Sequence, residues 1–154
     1  MKRTAAAVLL VTAVIMTAVF SACGSGKTAI SAADFIKAAE DNGMTVEDSG
    51  GIYTDSIFTG SQLANKDGWS VVFFTIRSAE DAANYYGTVK EYMIAQKTGK
   101  GSAAATERDG WASYSQLNGD RFMYVCYIGS TMVYVDTDGV NRTAVTDFLK
   151  KIGY

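Results

Sequence analysis

Apolar residues run almost unbroken from Ala5 to Phe20, interrupted by Thr12 and Thr17, and from Ser31 onward the pattern breaks into short periodic segments. Three of these segments repeat at three- and four-residue spacing, the period of an amphipathic helix. Phe35, Ile36 and Ala39 form the first, behind Ser31-Ala32-Ala33-Asp34. That tetrad is an N-cap whose acid meets the positive end of the helix dipole. Asn42-Gly43 supplies the stop. Ala82, Tyr85, Tyr86, Val89 and Met93 make the clearest stripe, opened by Ser78-Ala79-Glu80-Asp81 and ended by Gly99 and Gly101. Val140, Ala144, Val145, Phe148, Leu149 and Ile152 pattern a third helix that stops at Gly153.

Between the helices the period falls to two, as in strands. A short extended piece covers Met44 to Val46, and Glu47-Asp48-Ser49-Gly50-Gly51 reads as a loop. Ile57 to Ala64 is a strand closed by the turn Lys66-Asp67-Gly68. Trp69 to Ile76 is apolar on both alternating faces, which predicts a strand buried on both sides. Trp111–Leu117, Arg121–Ile128 and Thr131–Asp136 form a three-stranded meander, because Asn118-Gly119 and Gly129-Ser130 are two-residue hairpin signals. The expected architecture is α+β, a mostly antiparallel sheet with helices on one face, in the order α-β(2-3)-α-β3-α. Two echoes suggest a weak internal duplication. Ser31-Ala32-Ala33-Asp34 matches Ser78-Ala79-Glu80-Asp81, and Asp67-Gly68-Trp69 matches Asp109-Gly110-Trp111, at unequal offsets.

The first apolar run is an address. Lys2 and Arg3 precede it, small Ser21 and Ala22 follow it, and then come Cys23 and Gly24-Ser25-Gly26. Positive start, greasy middle and small-residue cleavage site are the parts of a secretory signal. The competing reading is an uncleaved anchor: residues 4–22 are 19 uncharged positions, close to the roughly 20 that span a bilayer. Their Ala and Thr content makes a weak span. The expected organisation is a signal peptide over 1–22, Cys23 and a tether over 23–30, and one globular domain over 31–154.

Composition narrows the chemistry. Of 154 residues, 48% are hydrophobic and 19% charged, which fits a globular chain with a core. The chain carries 14 basic and 16 acidic residues, and Lys2 and Arg3 lie in the signal, so the remainder carries 12 − 16 = −4. A mildly acidic domain without a basic block does not suit nucleic acid. There is no histidine, hence neither the commonest general base nor the commonest metal ligand. No cofactor is expected.

Several motifs imitate chemistry. Gly24-Ser25-Gly26-Lys27-Thr28 looks like the end of a phosphate-binding loop, but Ser21 stands where the first glycine belongs and a signal precedes it. Asp136-Thr137-Asp138-Gly139 begins like a calcium loop, yet the later acids are missing, and the reading preferred is a turn capping the last helix. Cys126 alternates with Phe122, Tyr124 and Ile128 on one strand face and has no histidine to activate it, which predicts a buried core cysteine. No catalytic constellation and no metal site emerge. The best place for a ligand is the Gly-Gly loop, where Glu47, Asp48, Tyr53 and Asp55 could grip a sugar or an amine. Nine tyrosines with Trp69 and Trp111 exceed the needs of the core, so some should be exposed for protein or glycan contact. Met123, Val125, Tyr127 and Tyr134 are candidates that core packing could equally claim.

The Ser21-Ala22-Cys23 junction resembles the lipobox of bacterial lipoproteins, with Phe20 where leucine is usual. The resemblance implies a diacylglyceryl group on Cys23 and cleavage before it, leaving Cys126 unpaired. The whole layout is similar to small uncharacterised lipoproteins of Gram-positive anaerobes. The likeness lies in Cys23, the capped first helix and the ending Tyr134-Val135-Asp136…Phe148-Leu149-Lys150-Lys151-Ile152-Gly153-Tyr154. It implies export and anchoring, and nothing catalytic. The expected function is a membrane-anchored, extracytoplasmic binding or interaction module at the cell envelope, with an envelope protein or glycan as partner. The alternatives are an acid-only envelope enzyme such as a carbohydrate hydrolase, and an accessory subunit of a transporter or sensor.

Overall fold

The structure, a computed structural model, describes residues 26–53, 55–99 and 101–154. The expected signal, the Cys23 anchor and the first residues of the tether lie outside the described residues. No helix among the described residues is long and apolar enough to cross a membrane.

Chain order is α1 (Ala32–Asp41), β1 (Thr45–Asp48), β2 (Phe58–Lys66), β3 (Trp69–Ile76), α2 (Ala79–Ala95), β4 (Ser102–Arg108), β5 (Trp111–Asn118), β6 (Arg121–Ile128), β7 (Thr131–Asp138) and α3 (Arg142–Lys151), with a 3₁₀ turn at Gly139–Asn141 before α3. The strands form a seven-stranded sheet in the order β1-β2-β3-β7-β6-β5-β4, and all neighbours are antiparallel. This is the α+β architecture the periodicity predicts.

Local chemistry sets the boundaries. The Ser31 and Ser78 hydroxyls accept the backbone N–H of Asp34 and Asp81, closing the first turns of α1 and α2. Asp67 and Gly68 both hold positive φ, 47° and 82°, as a two-residue hairpin turn with the sheet's own twist requires. The two echoes in the sequence are therefore these local devices. Asp67-Gly68 joins the second and third strands after α1, whereas Asp109-Gly110 joins the first and second after α2.

The helices lie on both faces, not one. Phe35 and Ala39 of α1 and Val145, Phe148 and Leu149 of α3 share one core with Val71, Phe73, Val133 and Val135. Ala82, Tyr86 and Met93 of α2 share another with Val72, Phe74, Val125 and Met132. The cause is β3, where Val71, Val72, Phe73 and Phe74 are all buried on alternating sides. A strand that is apolar on both faces needs cover on both, at roughly 1.5–3 kcal/mol per large side chain removed from water. Of the candidates on this face, Met123 and Val125 are buried in the α2 core, and Tyr127 and Tyr134 pack against it half-buried. Of the nine tyrosines, Tyr92 is the exposed one, at 50%.

Other expectations change. Glu47 and Asp48, read as loop, end β1, paired with Leu63 and Gln62. β4 has no counterpart in the predicted elements, since Ser102-Ala103-Ala104-Ala105 carries no strand signal and gains its shape by pairing with β5. The start of α3 has no side-chain cap; Thr137 and Asp138 continue β7 and the 3₁₀ turn intervenes. Val140, placed on the helix stripe, sits in that turn and is exposed.

Candidate functional site

Helix α2 packs chiefly on β6 and β5, so it leaves part of β3 and β7 to be covered by something else. The loop after β1 does this. Ser49 is buried; its hydroxyl meets that of Ser61 at 3.0 Å and its N–H donates to the Ser61 carbonyl at 3.1 Å. Further on, Asp55 Oδ1 accepts the Ile57 N–H at 3.2 Å, and the Arg77 N–H donates to the Ile57 carbonyl at 2.9 Å. These ties fold the loop over β2 and bring Tyr53 against Phe74, ring centres 4.8 Å apart and nearly perpendicular.

Between this loop and α2 a groove remains, with a cavity volume of about 330 Å³. Helix α2 supplies Tyr85, Val89 and Tyr92 as one wall, Tyr53 stands opposite, and Phe74, Met132 and Tyr134 make the floor. Tyr85 and Tyr92 lie two turns apart on one helix face, which makes the groove about 10 Å long at 1.5 Å per residue. Phe58 backs the deep end, its ring 5.0 Å from Tyr85 and 4.9 Å from Phe74. Edge-to-face packing of this kind fixes ring orientation as well as burying area.

Three of the groove's phenols, those of Tyr53, Tyr85 and Tyr134, are neutral. Burial pushes the Tyr53, Tyr85 and Tyr134 phenols above their ordinary value, with the Asp55 charge adding to Tyr85 and Asp136 to Tyr134. They therefore present O–H groups that can donate or accept. The open end is charged. Arg121 and Asp136 lie on the α2 side of β6 and β7, joined by two hydrogen bonds: Arg121 Nε to Asp136 Oδ1 at 2.7 Å and Nη2 to Oδ2. Tyr134 donates to Asp136 Oδ2 at 3.5 Å. Asp136 first, and then Tyr92 beside it, hold the guanidinium firmly protonated.

Of the residues singled out in the sequence for contact, the structure brings Tyr53 and Tyr134 to this groove. Glu47 Oε1 accepts from Asn65 Nδ2 at 3.2 Å across β1 and β2. Asp48 Oδ1 accepts the Gly50 N–H at 2.8 Å and shapes the loop. Asp55 caps its own turn. These acids build the loop that carries Tyr53 and do not converge on one point. Among the described residues, no group of three or more metal-ligating side chains comes together. The carboxyls held clearly below their usual range are Asp41 and Asp81, through the hydrogen bonds of Lys37 and Arg77. Sequence reasoning missed Phe74, Val89, Tyr92 and Met132 as groove residues. The usable signal was Tyr85 and Tyr92 seven residues apart, an aromatic pair on one face that the core stripe alone does not require.

Cys126 is fully buried among Phe122, Tyr124 and Val133 side chains, as its alternation predicts. Burial pushes its thiol up to about 11. A thiol so far from ionisation is a poor nucleophile at neutral pH.

Comparison of the chain with protein-family models, with curated proteins and with solved structures finds no match.

Proposed function

We propose that this protein is a lipid-anchored binding module of the cell envelope, and that its ligand is a small molecule held in the aromatic groove between α2 and the Tyr53 loop. The observation carrying this reading is the groove itself: a cavity of about 330 Å³ walled by aromatic and aliphatic side chains with neutral hydroxyls. Ligand sites are typically concave, mostly apolar and equipped with a few placed polar groups. The volume lies at the small end of such sites, which favours a small compound over a protein or glycan chain. Export and anchoring rest on the Lys2-Arg3 start, the apolar run and Ser21-Ala22-Cys23.

Two measurements test the two halves. Radiolabelled fatty acid fed to cells labels the wild-type chain and not Cys23→Ser; label on both, or on neither, defeats the anchor. N-phenyl-1-naphthylamine, a neutral apolar fluorophore, binds the full chain in nanodiscs at one site above the empty-nanodisc blank. Val89→Trp, which fills the groove from α2, abolishes that site while the melting transition persists. Failure of the probe to distinguish Val89→Trp from wild type defeats the binding reading.

A further inference from the structure

The groove has a chemical polarity along its length, and that polarity selects a ligand class. At the deep end, Tyr53, Phe58, Phe74 and Tyr85 offer ring surface. At the open end, Tyr134 and Tyr92 lead to Arg121. A guanidinium has five N–H donors. Arg121 spends two on Asp136 and has the Tyr92 hydroxyl beside it, which leaves donors to spare on a side chain 40% exposed. Asp136, by contrast, uses both oxygens, accepting from Arg121 and from Tyr134. The unspent capacity at the mouth is therefore donor capacity, on a planar group suited to an anionic oxygen pair. Ring surface at one end and a guanidinium with spare donors at the other orient an anionic ring compound one way round.

We propose that the groove takes a ring compound bearing one anionic oxygen group, its ring under α2 beside Phe74 and Tyr85 and its anion on Arg121. This rests on the groove being the ligand site, and deepens it by fixing the ligand's polarity. A groove about 10 Å long accommodates a fused bicyclic body with the anion just outside Tyr92. Asp136 pairs with Arg121 through two hydrogen bonds. It also screens part of the Arg121 charge.

The test uses two probes with one ring system. 1-Anilinonaphthalene-8-sulfonate is N-phenyl-1-naphthylamine with a sulfonate added. Both are titrated into the full chain in nanodiscs, with empty nanodiscs and the Val89→Trp chain as blanks. The sulfonate probe is expected to bind about ten-fold tighter or more, the increment of a hydrogen bond to a charged group. Arg121→Gln should abolish the preference and leave the neutral probe within about two-fold. The Arg121→Gln/Asp136→Asn double variant removes the stranded carboxylate and should do the same, which guards against misfolding of the single variant. Asp136→Asn alone should tighten the sulfonate probe, because the screening charge is gone.

Equal affinity of the two probes for the wild type overturns the inference and leaves the groove intact as a binding site. So does a sulfonate preference that survives both Arg121 variants. Loss of site-specific binding for both probes overturns the inference together with the reading it rests on.

Discussion

The ring of Phe35 in α1 lies 4.8 Å from that of Phe73 in β3, the two planes inclined by 17°. Both residues are wholly buried, and Phe148 of α3 approaches Phe35 edge-on at 6.1 Å. One residue thus ties two helices to β3. Phe35→Ala removes the ring from a place where α1, α3 and β3 all converge and cannot all collapse inward. The expected loss is about 3–5 kcal/mol, a large share of the 5–15 kcal/mol typical of a domain. Urea unfolding of Phe35→Ala and Phe35→Leu checks this, with the leucine variant losing much less.

Two glycines should respond to the same substitution with opposite signs. A methyl group on Gly87, inside α2, meets nothing within 4 Å. Gly87→Ala therefore gains helix propensity and stabilises the protein by about 0.5–1 kcal/mol. At Gly101 the added carbon falls 2.8 Å from the Leu117 carbonyl oxygen and 3.4 Å from that of Thr98. Those are backbone atoms and cannot swing aside. Gly101→Ala should cost about 1–3 kcal/mol, and the urea midpoints of the two variants should fall on either side of the wild type.

Tyr154 and Thr131 share a buried hydrogen bond between hydroxyls. Thr131 also donates to the Ile128 carbonyl at 2.8 Å, so its single proton is spent there and Tyr154 is the donor in the shared bond. Tyr154→Phe deletes one bond and leaves Thr131 satisfied, at about 1 kcal/mol. Thr131→Val instead strands the buried Tyr154 hydroxyl and should cost more, about 1–3 kcal/mol by the same reasoning. Thermal unfolding of both variants gives the order; Tyr154→Phe being the worse of the two would refute the assignment of the donor.

Alkaline pH should unfold the protein early. Burial raises the Cys126 thiol from an ordinary 9.0 to about 11, and the Tyr86 phenol from 10.0 to about 12. Each group holds its proton more tightly folded than unfolded. The stability this provides is complete below the ordinary value and is lost as pH rises to the raised one. Chemical stability should therefore fall between about pH 9 and 12. Cys126→Ala should flatten the first part of that fall, between 9.0 and about 11. A thiol reagent at pH 8 should modify Cys126 slowly in the folded Cys23→Ser chain and rapidly in urea.

Much of the fold was legible because local chemistry and burial agree. The bounds of β3 follow from an apolar run that alternates on both faces, and α2 from one stripe behind a serine cap. What the sequence did not show were features decided by a neighbour. Ser102–Arg108 is strand because β5 offers its edge, and its alanines would suit a helix equally well. The side on which α2 lands depends on which face of β3 and β7 is left bare by α1 and α3, a comparison of three distant segments. The groove was half visible for the same reason. Tyr53 was singled out for its loop, but the acids beside it are spent on backbone and strand contacts, and its companions come from β3, α2 and β7.

The segment Gly26–Ile30 has a directional consequence. Ala29 and Ile30 pack on the α1–α3 side of the sheet, and Lys27 sits over the Trp111 ring, 5.0 Å from its centre. The chain therefore approaches from the side opposite α2. Four peptide steps lead from Cys23 to Lys27, a reach of roughly 14 Å at full extension. An acyl chain on Cys23 would hold the bilayer against that far side, so the sheet would stand as a partition with lipid behind it and the aromatic groove in front. A guest would then arrive from the aqueous exterior, and the mouth at Arg121 would stay clear of headgroups while the protein remains moored.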